Sequence, residues 1–134
     1  MRLFILDTSV LVDEFRTDRH RERISALSGA VRNSAVVLAE LWRGARSKSD
    51  QNLLKALEKR AAALTPTANN WLESGQILLS ISSDHGFHGP TLRDLHFDVL
   101  IALTARSHGA TLITSNRSDF EMIHRYRPFS FEVW

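Results

Sequence analysis

The apolar run Leu3 to Leu6 is closed at once by Asp7, which predicts a short buried strand with a carboxylate at its C-terminal end. Thr8 or Ser9 is then placed to cap a helix over Val10 to Phe15. The polar stretch RTDRHRER follows, and Ile24 and Leu27 give a second helix enough apolar face to dock before Gly29 ends it. Ala30 to Asn33 predicts another strand, and Ser34 the cap of a helix AVVLAELWRGAR whose Val37, Leu38, Leu41 and Trp42 form a stripe. Leu53, Leu54, Leu57, Ala61 and Leu64 keep helical spacing from Ser49 until Thr65-Pro66 breaks it. Thr67 caps a further helix through Trp71, Leu72, Ile77, Leu78 and Ile81, and SSDHGFHGPT reads as the clearest loop. A helix opening at Asp98 runs to Ser107 and stops at a left-handed Gly109. Thr111 to Thr114 is a β-branched strand, Ser118 to Tyr126 a short helix, and Phe129 to Val133 a last strand. Strand and helix alternate without repeats, so the prediction is an α/β fold with a mainly parallel central sheet and helices on both faces.

A length of 134 residues suits one domain over the whole chain, 1–134. The absence of cysteine rules out disulfides and thiolate metal sites and fits a reducing cytoplasm; any metal must be held by oxygen or imidazole. No run approaches the roughly 20 apolar residues of a membrane span, and the N-terminal apolar run is too short for a signal peptide. A soluble, membrane-free protein is therefore expected. The net charge of +2 is small, but the cations are mostly arginine, with no lysine after Lys59. Arginine's planar fork binds phosphate oxygens in pairs, so a nucleic-acid partner is compatible with this balance.

In a parallel sheet ligands gather beyond the C-terminal strand ends. Asp7 stands at one such end, and Asn116 and Asp119 follow another. Asp98 opens the helix feeding that second strand, while Glu40 precedes Gly44 by one turn, where a glycine would allow close helix approach. Four carboxylates distant in sequence thus share a meeting point. Two like charges ~4 Å apart repel by roughly 4 kcal/mol at an effective dielectric near 20, so such a cluster needs a neutralising partner. With no late lysine, a cation fills that role, and hard oxygen donors with open positions select Mg²⁺ or Mn²⁺.

The stretches LDTSVLVD, AELWRGA, FDVLIALTARSHGATLIT and SNRSDF, in this order, resemble the successive signatures of PIN-domain ribonucleases, and most closely the VapC toxins of bacterial toxin-antitoxin pairs. The resemblance spans nearly the whole chain. It implies a PIN-like nuclease domain that cuts RNA, leaving 5′-phosphate and 3′-hydroxyl ends, with Mg²⁺ or Mn²⁺ as cofactor. Residue by residue it implies an acidic pocket of Asp7, Glu40, Asp98 and Asp119, with Asp7 and Asp98 on the metal and Thr8, Ser9, Thr114 and Asn116 as polar supports. A VapB-like antitoxin and a homodimer are the implied protein partners. Phe97 before Asp98 and the additional Asp94 one turn earlier depart from the pattern; Asp94 is expected either to stand behind the residues that hold the ion or to face solvent, with Arg93 as a surface partner, rather than to hold the ion itself.

Each of these residues has a plainer role. Asp7 and Asp98 could serve helix N-termini, Glu40 could pair with Arg43, and Asn116 and Asp119 could cap the following helix. The histidines follow no metal-ligand spacing, although His85 and His88 flank a glycine loop that could touch substrate. RTDRHRER is either a solvated helix entrance or an RNA-facing rim. Two rival functions follow: a receiver-type phospho-signalling domain, weakened by the missing late lysine, and a catalytically silent PIN-like scaffold that only binds RNA or protein.

Overall fold

In the computed structural model, which describes residues 2–134, four strands form one all-parallel sheet in the order β2-β1-β3-β4. The strands are β1 (Arg2–Leu6), β2 (Gly29–Arg32), β3 (Thr111–Thr114) and β4 (Phe131–Val133). Seven helices connect them: α1 (Thr8–Thr17), α2 (Arg21–Ser25), α3 (Ala35–Gly44), α4 (Lys48–Arg60), α5 (Ala68–His85), α6 (Pro90–Ser107) and α7 (Arg117–Tyr126). Successive strand residues point to opposite faces, and Phe4, Ile5 and Leu6 in β1 and Leu112, Ile113 and Thr114 in β3 are all buried. Both faces of the sheet are therefore covered, as the continuous apolar runs require. One apolar core joins these strands to Val10, Val37, Leu54, Ile81 and the α6 run from Val99 to Leu103.

Caps explain the helix starts that periodicity located correctly. The Ser34 side chain accepts from the Val37 amide at 3.3 Å, and Thr67 and Asn70 exchange side-chain and backbone hydrogen bonds in a full capping box. Gly109 is left-handed at φ 65, as expected beyond the end of α6.

Other boundaries moved, each for a physical reason. Thr8 and Ser9 do not cap α1: Asp7 holds the cap position without a side-chain cap bond, and both hydroxyls turn to carboxylates instead. Gly29 begins β2 rather than ending α2, because it pairs with Arg2 so closely that an added Cβ would collide with the Arg2 carbonyl oxygen. Helix α4 stops at Arg60, not Leu64, since Leu64 is drawn into an extended bridge with Ser34. Most of SSDHGFHGPT is helical: α5 continues to His85, Gly86 caps it at φ 71, and Pro90 opens α6 as its first residue. Gly44 ends α3 with open space around it, so it serves no close helix approach.

The most consequential change concerns Asp98. It lies in the middle of α6, more than two turns from Pro90, not at a helix head. The partial positive charge of a helix N-terminus fades within the first turn and cannot compensate a carboxylate there.

Candidate active site

Strand β1 delivers Asp7, 4% exposed, to its C-terminal end, and the Asp7 amide donates to the Ile113 carbonyl at 2.8 Å, fixing it beside β3. Its Oδ2 accepts from Thr114 Oγ1 at 2.7 Å and from Ser9 Oγ at 3.1 Å. Thr8, on the next residue, donates to Glu40 Oε1 at 2.9 Å across to α3. The Asn116 amide donates to Thr114 Oγ1 at 3.0 Å, and Asn116 Nδ2 holds Asp119 Oδ2 at 2.9 Å. A continuous chain of hydrogen bonds thus runs from Asp7 through Thr114 and Asn116 to Asp119. The DTS run is what ties β1, α3 and the β3–α7 turn together.

Asp98 enters from α6, and the surrounding charge identifies its company. Its carboxyl is pushed up to about 8, first by burial and then by Asp7, Glu40, Asp119 and Asp94. Burial is also the main cause raising Asp7, against the lowering hydrogen bonds of Thr114 and Ser9. Glu40 is raised chiefly by burial, opposed by Thr8, with further upward pressure from Asp7. These carboxylates repel one another; the one cation that acts on them is Arg43, which lowers Glu40, and among the described residues none of them is in an ion pair. Nor do any three Asp, Glu or His side chains among the described residues converge closely enough to enclose an ion by themselves.

The plainer roles divide. Asn116 does cap α7, its Oδ1 accepting from the Asp119 amide at 3.4 Å. Glu40 does not pair with Arg43: its partner is Thr8, and the Arg43 guanidinium lies over the Phe97 ring, 5.0 Å from the centroid. Asp94 is exposed, as expected, but no ion pair with Arg93 forms among the described residues. RTDRHRER is largely self-neutralised, Arg21 reaching Asp18 at 2.7 Å and Glu14 at 3.8 Å and Arg19 reaching Asp13 at 4.0 Å. His85 stacks on Phe87 and meets Tyr126 edge-on at the far end of α7 from Asp119, which separates it from the acidic pocket.

The chain matches the model of the PIN domain over residues 4–125. It belongs to the PIN domain family. A search of curated proteins finds no match. Among solved structures, this PIN domain is similar to a chain of the DNA-bound VapBC from Salmonella typhimurium, with 26% identity, 100% of this chain and 99% of that one covered, and a TM-score of 0.76. It is similar in fold to VapBC-1 from nontypeable Haemophilus influenzae and to VapBC2 from Rickettsia felis bound to a promoter DNA fragment. Each of these two has 24% identity, 98% coverage of both chains and a TM-score of 0.75. The expected VapC-like PIN architecture is borne out.

One feature escaped the sequence reading: the seat of Arg43 on Phe97, hidden because 54 positions separate the two in the numbering. The stripes of Leu38, Leu41 and Trp42 and of Leu53, Leu54 and Leu57 offer more apolar surface in the sequence than one small sheet needs, and all but Trp42 line a pair of adjoining grooves on the α1, α3 and α4 side. The larger, about 640 Å³, includes Leu11, Phe15, Ile24, Val31, Leu53 and Leu57 in its lining. The smaller, about 410 Å³, shares Phe15 and Leu53 with it and ends at Thr8 and Glu40. Leu41 and Leu54 of the predicted stripes are mostly buried, and Trp42, which donates to Glu58, lines neither groove.

Proposed function

We propose that residues 1–134 form a metal-dependent endoribonuclease domain, the toxin of a VapBC-type pair, with Asp7, Glu40, Asp98 and Asp119 as its acidic pocket. The observation that carries this reading is Asp98: a half-buried carboxyl in mid-helix, with Asp7, Glu40, Asp119 and Asp94 around it and raised to about 8 first by burial and then by those four carboxylates, has no structural reason to be there unless a cation joins it. A silent scaffold has no use for that arrangement.

Asp7 and Asp98 would hold the ion. Mg²⁺ keeps several waters and takes one or two carboxylates plus substrate phosphate oxygens, so the absence of a closed protein cage fits this ion or Mn²⁺. When bound, it supplies a Lewis acid that activates water and polarises a phosphoryl oxygen. Thr114 and Ser9 fix the Asp7 carboxylate, and Asn116 fixes Asp119. Glu40, raised by burial and hydrogen-bonded through only one oxygen, is suited to take a proton from the attacking water. Cleavage by this route leaves a 5′-phosphate and a 3′-hydroxyl.

The grooves suit an antitoxin segment of apolar and acidic or polar character: seated against Phe15 and Leu53, it would run through the smaller groove toward Glu40. An arginine placed among the carboxylates would replace the ion's charge and silence the site. The homodimer is assigned to the outer face of α5, where Leu72 and Leu79 are 72% and 73% exposed on either side of Gly75, around which the space is open. The only charged side chain between Ala68 and Ser83 is Glu73, which pairs with Arg127 at 3.2 Å, so an equally neutral second copy is the fitting partner. No helix among the described residues is long and apolar enough to cross a membrane, and the lack of cysteine suits the cytoplasm.

Incubation of the purified chain with total RNA, with Mg²⁺ or with EDTA, followed by mapping of the cut ends, tests this reading. Metal-dependent fragments with 5′-phosphate ends are expected. RNA left intact under both conditions would remove it.

A further inference from the structure

An acidic pocket repels the polyanion it must cut. Four carboxylates and the exposed Asp94 surround the place where a phosphodiester has to arrive, so something nearby has to attract the backbone before the ion can engage it. Half of the arginines of this chain are not free to do so. Arg2 pairs with Glu132, Arg19 with Asp13, Arg21 with Asp18 and Glu14, Arg117 with Glu121 and Arg127 with Glu73. Arg32 donates to the Ala62 carbonyl and Arg106 to that of Pro128.

Arg43 differs. It stands one helical turn beyond Glu40 on α3, near enough for its charge to act on that carboxyl, yet makes no ion pair among the described residues. Its guanidinium is instead held over the ring of Phe97, the residue adjoining Asp98. A ring face orients the guanidinium without consuming its hydrogen-bond donors, whereas a carboxylate partner would occupy them. The outcome is a fixed, exposed, uncommitted cation at the rim of the acidic pocket, between the helices that supply Glu40 and Asp98.

We propose that Arg43, seated on Phe97, binds the RNA phosphate next to the one that is cut and so draws the backbone into the acidic pocket. The proposal rests on the nuclease reading and adds to it a residue that contacts substrate. Binding of a labelled random-sequence single-stranded RNA, followed by fluorescence anisotropy in Ca²⁺ across a series of salt concentrations, tests it without requiring turnover. Loss of one phosphate contact should weaken binding by Arg43→Ala about tenfold and flatten the slope of log K against log salt by about 0.7. Arg43→Lys keeps the charge and should restore most of the slope, although not the planar stacking.

An unchanged slope in Arg43→Ala, with the wild-type chain binding RNA, would overturn this assignment and leave the nuclease reading intact. Undiminished RNA binding together with a weakened antitoxin complex would reassign Arg43 to the protein partner. If the wild-type chain binds no RNA, the nuclease reading falls and this inference with it.

Discussion

Asp98 and Asp94 stand one helical turn apart on α6 and report opposite surroundings. Asp94 is exposed, whereas Asp98 is half-buried among carboxylates, with its carboxyl raised to about 8. Asp94→Asn should therefore lower RNA cleavage only modestly, by less than about tenfold, in a rate assay at saturating Mg²⁺. Equal loss in Asp94→Asn and Asp98→Asn would mean that the wrong carboxylate has been given to the ion. The raised pKa values also set a pH dependence. Well below pH 4 these carboxyls are protonated in both folded and unfolded chains, and the pocket costs nothing. As pH rises the unfolded chain ionises first, so the metal-free protein loses stability progressively up to about pH 8 and then levels off. Thermal melts in EDTA should show this decline, and Asp98→Asn should reduce it and raise the melting temperature near neutral pH. A melting curve independent of pH between 5 and 8 would contradict the burial argument. Asp7, Glu40, Asp98 and Asp119 were legible as a set because strand-end and helix positions bring them together. The reason Asp98 is costly was not legible, since its place in mid-helix depends on where α6 begins.

At the scale of elements, local chemistry fixed starts more reliably than ends. Ser34 and Thr67 carry their caps in the sequence itself, and both caps form. Thr67→Ala removes one half of a capping box on an 18-residue helix and should cost about 1 kcal/mol in urea unfolding; an unchanged midpoint would show that packing alone holds the start of α5. Ends depend on distant partners. Leu64 leaves the helical pattern because β-type bonds to Asn33 and Ala35 are available to it, and Gly29 joins β2 because only a glycine fits against Arg2. The SSDHGFHGPT segment misled for another reason. Its glycines and proline are true boundary signals, but they mark a four-residue turn, 86–89, between two long helices rather than a long loop.

For the whole molecule, the alternation of apolar runs was enough to indicate the parallel sheet, while which members of the apolar stripes stay exposed became visible only in three dimensions. Leu53 illustrates the difference: it belongs to a helical stripe in the sequence, yet is 44% exposed in the lining shared by both grooves, whereas Leu54 beside it is buried. Leu53→Asp should leave the fold intact and weaken a co-purified antitoxin complex at least about tenfold, read by calorimetry; an undiminished complex would place the antitoxin elsewhere. On the opposite account of surface, Gly75→Glu adds a charge where the monomer has open space, so sedimentation should show a folded monomer in place of a dimer. A dimer retained by that variant would move the interface off α5. The account as a whole stands on the acidic pocket being a site of phosphodiester cleavage. Its most direct test is the rate at which total RNA is cut in Mg²⁺ by the wild-type chain and by Asp98→Asn, each shown to be folded by circular dichroism. The account predicts metal-dependent cutting by the wild type and a loss of at least about 100-fold in the variant; cutting at the same rate by both would contradict it.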